Sequence, residues 1–407
     1  MSQRYEFLGK SISGPFTIPS GIIATAAPII QYLFDRVPEI GVMTTKSIGP
    51  VPRSGNREPI MTQYAPGCFM NAVGLTNPGA EASLEQLAAL QVPDDRFLLT
   101  SIFGGSVEEI VAVAQLLAPV SDGLELNLSC PHAKGYGMDM GQDAGLVKEI
   151  TQAVKAVVNI PVVPKLTPNV PNIGEIARAA VDGGADALCA INTTGPAYYT
   201  AYGEPVLTNK LGGMSGRGVL PTALKCIREM REAVDVPIIG CGGVATLDNV
   251  KAIRHEGASI IGIGSALTGM NSAEVGEYFS EILSGLEKDE PTAGELITVD
   301  MGYEPYTLIT NEKVCEDISI LTFDRKVGVQ AGEFVYAWIP GLGEKPFSAL
   351  TDDPFALVVI DVGVFTRELL KCEPGSKVYV RGPHGVKVAP PENSKIVAVA
   401  GGTGLAA

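Results

Sequence analysis

The chain has 407 residues, of which 46% are hydrophobic and 18% are charged, and its formal net charge is −15. This balance is typical of a globular protein with room for one large domain and a smaller one. The acidic excess without a basic cluster argues strongly against a nucleic-acid partner, because binding to phosphates depends on clustered lysine and arginine. No apolar run is long enough to span a membrane.

The N-terminal residues MSQRYEFLGKSISG have no basic start followed by an apolar stretch. We therefore expect no secretory signal and a cytoplasmic location. The seven cysteines form no C-x-x-C pair, which predicts reduced thiols and neither a zinc nor an iron–sulfur site in these residues.

Between residues 16 and 267, short apolar segments alternate with polar loops and with stretches of helical periodicity. The eight strand candidates, in chain order, are FTIPSGI, VMTTKSI, FLLTSIFG, LELNLSC, VVPKLTP, ALCAINTT, VPIIGCGG and SIIGIGSAL. Such uniformly apolar strands are typical of a parallel sheet that is covered on both faces. Eight units predict a (β/α)8 TIM barrel over residues 1–290. A doubly wound open sheet also fits the alternation, but the glycine turns after the last two strands favour the barrel, which often binds phosphate there.

The pattern changes after LSGLEKDEPTAGE, a charged and turn-rich stretch. Over residues 300–390, strand-like segments are separated by Gly, Pro, Asp and Asn turns, which predicts a small antiparallel β-barrel domain. Residues 394–407, SKIVAVAGGTGLAA, combine an apolar strand with a glycine-rich turn. This is how a nucleotide-binding βα unit begins, so we expect the first strand of a truncated NAD-binding domain here.

Polar residues stand at the carboxyl end of nearly every predicted barrel strand. They are Ser20, Lys46, Ser101, Asn127, Cys130, Lys165 and Asn192. In a barrel these ends converge on one mouth, where active sites are built. Lys46 and Lys165 lie within otherwise apolar strands, so each is expected to face an anion, the alternative being a structural ion pair.

Cys130 has two interpretations. A free cysteine often behaves as a small buried apolar residue. However, Pro131 ends the strand, and Asn127 and Ser129 place polar groups at the same end, which favours a thiol that faces a polar cavity and transfers a proton. Cys189 and Cys241 lack such neighbours and are predicted to be core residues.

His132 is expected to be a loop residue or a hydrogen-bonding partner rather than a catalytic group. The glycine-rich stretch GYGMDMGQD that follows it fits an active-site lid or an ordinary surface loop.

Several motifs together resemble the NAD-linked class 1B dihydroorotate dehydrogenases over residues 1 to about 285. They are NAVGLTNPG, NLSCP, VPKLTPNV, INTT, GGMSGRG and IIGCGGV, in the family's order and spacing. The resemblance implies that flavin mononucleotide (FMN) binds to Ser20, Lys46, Ser47, Asn127, Lys165, Ile191, Gly216, Gly242, Gly243, Gly264 and Ser265. It assigns the substrate pocket to Lys46, Asn71, Ala72, Val73, Gly74, Leu75, Asn127, Asn192 and Thr193, with Cys130 as the base.

The activity that this resemblance implies is oxidation of dihydroorotate to orotate in pyrimidine biosynthesis. Cys130 would remove the C5 proton, the C6 hydride would pass to FMN, and Lys165 would stabilise negative charge. Two features depart from the family: Ser101 replaces a usual asparagine, and CPHAKGYGMDMGQD is closer to the loop of dihydropyrimidine dehydrogenases. Uracil or thymine reduction is therefore the alternative within oxidoreductases. A phosphate-binding isomerase or aldolase and a non-catalytic electron-transfer scaffold are the alternatives of other classes.

The C-terminal part resembles the ferredoxin-reductase-like electron-transfer subunit that accompanies these dehydrogenases, through EKPFSAL, VGVFTRELL and VRGPHG. This resemblance implies FAD at Lys345, Pro346, Phe347, Ser348 and Thr366, with lysine where the family has arginine. It further implies that NAD and a [2Fe–2S] centre would require residues beyond those in this sequence, either from a longer fusion or from a separate subunit. A homodimer through the barrel is also expected from the resemblance.

Overall fold

The computed structural model describes residues 5–128, 138–288 and 300–388, and the chain divides into two compact units. The barrel unit comprises Met1–Asn56, Tyr64–Ala197 and Leu211–Val299. The C-terminal unit comprises Arg57–Gln63, Tyr198–Lys210 and Asp300–Ala407. Two short segments within the barrel's stretch of sequence thus group with the C-terminal residues.

The strands between residues 5 and 262 are short, as parallel barrel strands and their connecting hairpins commonly are. They are β1 (Tyr5–Phe7), β2 (Lys10–Ile12), β3 (Phe16–Ile18), β4 (Val42–Thr44), β5 (Met61–Ala65), β6 (Cys68–Asn71), β7 (Phe97–Ile102), β8 (Gly123–Asn127), β9 (Val162–Lys165), β10 (Leu188–Ala190), β11 (Thr194–Tyr198), β12 (Thr200–Ala201), β13 (Glu204–Pro205), β14 (Leu211–Gly216), β15 (Ile238–Cys241) and β16 (Ile260–Gly262).

Eight of these strands close into a parallel barrel in the order β10-β15-β16-β3-β4-β7-β8-β9. Each corresponds to one of the eight strand candidates in the sequence, so the TIM-barrel prediction is confirmed. Alternation along β8 explains why the runs are so apolar: Leu124 and Leu126 belong to the core beneath the helices, while Glu125 and Asn127 face the barrel interior. A separate apolar cluster, including Phe97, fills the lower interior.

Nine described helices surround the barrel, and several of them begin at a polar residue that caps the first turn. They are α1 (Ala27–Arg36), α2 (Ala80–Ala88), α3 (Val107–Leu117), α4 (Met138–Gln142), α5 (Ala144–Lys155), α6 (Ile173–Asp182), α7 (Leu220–Ala233), α8 (Leu247–His255) and α9 (Ser272–Lys288). Ser106 accepts a hydrogen bond from the Glu109 backbone at 3.3 Å, and Asp143, Asn172 and Thr246 cap α5, α6 and α8 in the same way. Each such cap stabilises its helix by about 1 kcal/mol. None of the described helices is long and apolar enough to cross a membrane.

The C-terminal unit contains an antiparallel sheet of seven strands. They are β17 (Glu304–Cys315), β18 (Ile318–Phe323), β19 (Glu333–Ile339), β20 (Gly343–Phe347), β21 (Ala349–Asp352), β22 (Phe355–Ile360) and β23 (Lys377–Gly385), with helix α10 (Val364–Leu370) between the last two. Their order is β20-β19-β23-β17-β18-β22-β21. Five of these strands follow the predicted segments, whereas β20 and β21 lack a clear pattern in the sequence. Residues 394–407, the predicted start of a nucleotide-binding domain, lie outside the described residues.

Buried ionic contacts accompany the apolar core of the C-terminal unit. The Arg381 guanidinium forms two hydrogen bonds of 2.9 Å with the Glu344 carboxylate, and both side chains are buried. The Tyr303 hydroxyl donates to the same carboxylate. The guanidinium also lies 4.2 Å from the centre of the Tyr336 ring. The charge of Arg381 is therefore matched on every side by groups of its own unit.

Candidate active site

A cavity of about 550 Å³, counting its open mouth, lies at the carboxyl ends of the barrel strands. Many of its lining residues are those that the sequence singles out, namely Ser20, Lys165, Ile191, Asn192, Thr193, Gly216, Gly242, Gly243, Gly264 and Ser265. Other lining residues were not named individually as site residues in the sequence analysis: Pro19, Ile22, Met214, Ser215, Val219, Val244 and Gly262. Cys241, which we predicted to be core, is buried and also lines the cavity.

One end of the cavity is built from glycine turns after β15 and β16. Gly243 has a φ of +76°, and a β-carbon there would lie 2.7 Å from the Leu220 backbone nitrogen. Among the described residues, the backbone N–H groups of Gly243, Gly264 and Ser265 have no hydrogen-bond acceptor. Unpaired N–H groups that line a glycine-rich turn form an anion site. This end of the cavity fits the phosphate of a nucleotide such as FMN.

A row of polar side chains lies along the interior edge of the cavity. Ser20 Oγ and Ser47 Oγ are 2.8 Å apart, and Asn127 Nδ2 donates to Ser47 Oγ at 2.9 Å. Asn192 Nδ2 in turn lies 3.4 Å from Asn127 Oδ1. The structure thus brings together four residues that come from four different barrel strands or the loops after them, as a barrel mouth allows.

Lys165 is buried at the end of β9, and its ammonium lies in the cavity wall. Burial by itself lowers the pKa of Lys165, but the Glu125 carboxylate opposes this, and with smaller contributions from Cys189 and Cys241 the net pKa is raised. The side chain therefore remains an ammonium over the physiological range. The Glu125 carboxylate is thus one anion that stabilises the Lys165 ammonium inside the barrel, and the role of Lys165 towards a bound anion stays a prediction.

Lys46 follows β4, and its Nζ atom lies against Gly21, 3.3 Å from the position that a β-carbon on this glycine would take. Its backbone N–H donates to the Ala24 carbonyl at 3.0 Å. This places a second cation next to Ser20, although Lys46 is not among the residues that line the cavity itself. Gly21 has a φ of +86°, a backbone conformation that favours glycine at that position.

The loop from Asn71 to Leu75 is held firmly in place. Asn56 donates from its backbone to the Val73 carbonyl and from Nδ2 to the Ala72 carbonyl, both at 2.9 Å. Leu75 is buried with a φ of +57°, a strained conformation for a leucine. Such strain persists only where the surroundings enforce it, and it is often found at binding sites. None of the five loop residues lines the cavity at the mouth.

Cys130 lies outside the described residues, as do Ser129, Pro131 and His132. In the chain it stands three positions after Asn127, whose side chain belongs to the polar row. Its role as a base therefore remains a prediction.

In the C-terminal unit, the predicted FAD residues lie around the edge strand β20. The Lys345 ammonium pairs with the Glu58 carboxylate at 3.2 Å, and both side chains are about half exposed. Phe347 lies beside Phe365, with ring centres 6.2 Å apart. Thr366 accepts backbone hydrogen bonds from Val362 and Gly363, so its hydroxyl caps α10. Pro346 lies on β20, and Ser348 stands between β20 and β21.

Glu125 is a site residue that the sequence analysis did not single out. It is 1% exposed and accepts a hydrogen bond of 2.8 Å from Ser101 Oγ. A signal was available, because the segment LELNL places an acidic residue in a buried strand, just as Lys165 places a basic one. The register of β8 and β9 relates the two charges, because Glu125 is opposite Val163, two positions before Lys165 on β9.

A closed parallel barrel, a glycine-lined anion site and a buried lysine at one mouth define a class of protein, the nucleotide-binding barrel enzymes. Residues 3–288 match the model of one family of this class, dihydroorotate dehydrogenase. The chain belongs to the dihydroorotate dehydrogenase family.

Curated relatives agree with this family. The chain is 40% identical over 285 residues to the catalytic subunit of dihydroorotate dehydrogenase B (NAD(+)) from Methanosarcina acetivorans, covering 70% of this chain and 89% of the relative. The subunits of the same name from Pyrococcus horikoshii and Methanocaldococcus jannaschii are 40% and 37% identical over 266 and 293 residues. These matches cover 64% and 71% of this chain and 85% and 95% of the relatives.

The family carries out oxidation of dihydroorotate to orotate in pyrimidine biosynthesis, and this is the activity of the chain. The alternatives of dihydropyrimidine reduction, isomerase or aldolase chemistry and a non-catalytic scaffold are therefore set aside. The family also implies FMN, which the glycine-lined end of the cavity and Lys165 fit.

Proposed function

We propose that the cavity residues carry out dihydroorotate oxidation in the roles that the sequence analysis assigned to them. The observation that carries this proposal is the arrangement of the cavity: an anion site of unpaired N–H groups at one end and the Ser20, Lys165 and Asn192 side chains along the wall. The anion site would hold the FMN phosphate. The Lys165 ammonium would lie near the ring system and stabilise negative charge there.

The substrate would bind next to this wall. Lys46, whose Nζ atom lies beside Gly21, would pair with the substrate carboxylate, while Asn127 and Asn192 would satisfy the ring amide groups. Asn71 to Leu75 and Thr193 would complete the pocket. The strained, anchored backbone of the loop supports a positioning role, because a fixed loop presents its groups in one geometry.

Proton removal is assigned to Cys130. As a thiolate it would take the C5 proton of dihydroorotate and become a thiol, while the C6 hydrogen leaves with its electron pair and the ring double bond forms. FMN, when bound, supplies the acceptor for that hydride. A serine in place of Cys130 is a weaker base without a partner, so proton removal would become rate-limiting.

The test is anaerobic bleaching of the bound flavin. We expect dihydroorotate to bleach the wild-type flavin rapidly and dihydrouracil to leave it coloured, whereas bleaching by dihydrouracil alone would contradict the substrate assignment. Cys130→Ser should slow bleaching by roughly 10² to 10⁴-fold. Cys315→Ser is the matched control, since Cys315 is exposed on β17, and it should bleach like the wild type.

We further propose that the C-terminal unit is an FAD-binding module fused to the barrel, which would pass electrons towards NAD. Resemblance in three motifs supports this, together with the location of Lys345 and Phe347 on one edge strand. Lysine lacks the bidentate fork of arginine, so FAD would be held less tightly than by an arginine at position 345. NAD and a [2Fe–2S] centre would belong to a partner subunit, a view supported by the words "catalytic subunit" in the relatives' names.

Flavin extraction tests the second cofactor. Equal amounts of FMN and FAD would support the module, and FMN alone would contradict it. Lys345→Met should lower the FAD content while leaving FMN unchanged. Lys371→Met is the control, because Lys371 is an exposed lysine in an ion pair with Glu368 in the same unit. A homodimer is proposed from the resemblance, and light scattering of the purified protein would test it. The cytoplasmic location expected in the sequence analysis stays a proposal.

A further inference from the structure

The hydrogen bonds inside the barrel have a direction that can be worked out from one end. Ser101 Oγ donates to Glu125 Oε1 at 2.8 Å. A carboxylate can only accept, so the single hydroxyl proton of Ser101 is committed to it. Ser101 and Ser47 are 2.9 Å apart, and Ser47 must therefore be the donor in that contact.

The bond from Ser47 to Ser101 also determines the roles of the groups between Ser47 and the cavity. With its proton given to Ser101, Ser47 can only accept from its other neighbours, Asn127 Nδ2 at 2.9 Å and Ser20 Oγ at 2.8 Å. Ser20 must then donate towards the barrel interior. The lone pairs of Ser20 Oγ are then available to accept a hydrogen bond from a group bound in the cavity.

The amide of Asn127 is oriented by the same row. Because its Nδ2 faces Ser47, its Oδ1 faces Asn192 Nδ2 at 3.4 Å, and Asn192 Oδ1 accepts from the Thr193 backbone at 2.8 Å. In every hydrogen bond along the row from Thr193 to Glu125, the donor is therefore the group farther from Glu125. An uncharged residue at 125 that could also donate would remove the reason for that direction.

We propose that Glu125 is a positioning residue: its buried carboxylate sets the direction of the row Ser101, Ser47, Ser20 and Asn127, so that Ser20 presents its lone pairs to an N–H group of a bound flavin or pyrimidine ring. Glu125 also provides the negative charge that faces the Lys165 ammonium in the barrel interior. The inference rests on the proposed FMN site and goes beyond it, because neither the family match nor the relatives assign a role to Glu125.

The charge on Lys165 depends on the same carboxylate. Burial opposes the ammonium, and Glu125 on β8 is the largest influence that favours it, ahead of Cys189 on β10 and Cys241 on β15. Replacing the carboxylate with an amide removes that influence. The pKa of Lys165 should then fall towards the range where it can be titrated.

The experiment measures FMN binding to the deflavinated full-length protein by quenching of flavin fluorescence, between pH 6 and 10. For Glu125→Gln we expect FMN to bind roughly tenfold to a hundredfold more weakly at pH 7, the range for a lost hydrogen bond to a charged group. We also expect the affinity of this variant to fall further at alkaline pH as Lys165 loses its proton, a bend that the wild type lacks.

A second variant, with a matched control, separates the effect of the row's direction from the effect of the charge on Lys165. Ser101→Ala breaks the row but keeps Glu125 facing Lys165, so it should weaken FMN binding without the alkaline bend. Thr17→Val is the matched control for a lost buried hydroxyl, because Thr17 Oγ1 pairs with Thr44 Oγ1 at 2.9 Å in the same interior, outside the row. It should leave FMN binding within about threefold of the wild type, which is within about 0.7 kcal/mol.

Wild-type affinity and pH profile in both Glu125→Gln and Ser101→Ala would overturn the proposal. If Glu125→Gln does not fold, Ser101→Ala alone decides, and wild-type binding in that variant overturns the directed row. Failure of the wild-type protein to bind FMN or to oxidise dihydroorotate would instead refute the proposed function. The two failures are therefore distinguishable.

Discussion

The barrel unit and the C-terminal unit each bury a pair of opposite charges, and they use the pair differently. In the C-terminal unit, Arg381 and Glu344 satisfy each other through two hydrogen bonds and are enclosed by aromatic rings. In the barrel, Glu125 faces Lys165, and hydrogen bonds continue from the carboxylate to the cavity wall. The first pair is satisfied by groups of its own unit, whereas the second is linked through hydroxyl groups to the wall of a cavity. We infer that connection to a cavity, rather than burial, distinguishes the structural pair from the functional one.

The largest effect is expected when the pair of Arg381 and Glu344 is broken. Glu344→Gln leaves Arg381 buried opposite a neutral amide, which should cost the C-terminal unit about 3–5 kcal/mol of unfolding free energy. The sequence contains one tryptophan, Trp338, buried in this unit, so urea unfolding followed by its fluorescence reports on it directly.

The control for this variant is Glu368→Gln, which breaks an exposed ion pair with Lys371 and should change the unfolding free energy by less than about 1 kcal/mol. Dihydroorotate oxidation with a dye as electron acceptor should be unchanged in both variants without denaturant. Equal, small losses of stability in the two variants would mean that the Arg381 pair is no more important than a surface pair.

Breaking the pair of Glu125 and Lys165 should affect activity more than stability. Lys165→Met removes the ammonium from the cavity wall, and we expect the rate of flavin reduction by dihydroorotate to fall roughly 10² to 10³-fold, typical for the loss of one preorganised electrostatic group. Stopped-flow bleaching measures this rate, and thermal unfolding measures the stability of the same sample. A variant with the wild-type rate but a much lower melting temperature would place Lys165 with Arg381 as a structural residue.

A smaller effect is expected at the anion site. In Gly243→Ala the new β-carbon would meet the Leu220 backbone nitrogen at 2.7 Å and the Gly216 carbonyl oxygen at 2.9 Å, so the turn must shift. FMN should bind roughly tenfold more weakly, since one or two N–H contacts to the phosphate would be misplaced.

Gly9→Ala is the control for backbone strain alone. Gly9 has a similar φ of +81°, but a β-carbon there would have nothing within 4 Å. This substitution should lower stability by about 1–2 kcal/mol and leave FMN affinity unchanged. Equal loss of FMN in both variants would show that the effect is general destabilisation.

The smallest effect concerns Glu58 and Lys345 at the edge of the C-terminal unit. A hydrogen bond from its own backbone lowers the pKa of Glu58 from an ordinary value of 4.5, partial burial opposes this, and Lys345 lowers it further. Because the folded pKa is the lower one, the pair stabilises the fold above pH 4.5, and this is lost as the pH falls through the folded value.

Both side chains are about half exposed, so solvent screening should keep the contribution below about 1 kcal/mol at pH 7. Glu58→Gln should therefore lower stability slightly at pH 7 and by less at pH 3, as measured by urea unfolding at each pH. A larger loss at pH 3 than at pH 7 would contradict the direction of the shift.

The pattern of the sequence was sufficient for the elements whose side chains face a fixed environment. Strands such as β8 and β9 are covered on both faces, so their apolar runs are visible without any partner, and Lys165 is conspicuous within such a run. The edge strands β20 and β21 have one partner strand each, so their composition is less constrained, and the sequence pattern did not reveal them.

The sequence pattern also did not reveal that two segments belong to the C-terminal unit. Residues 57–63 and 198–210 stand between predicted barrel strands, yet they group with the C-terminal unit. Val206 shows why: it packs in a cluster with Tyr303 and Trp338, about 100 and 130 residues further along the chain. Local periodicity carries no information about contacts at such separation.

By itself the sequence determined the eight barrel strands, the glycine turns and the charged residue within β9, because each depends on properties that are local to a strand or a turn. Only the tertiary structure decided that Glu125 faces Lys165 and that Ser101, Ser47 and Ser20 continue from it to the cavity. The direction of a hydrogen-bonded row depends on which neighbours can donate, and those neighbours come from different strands that meet only when the barrel closes.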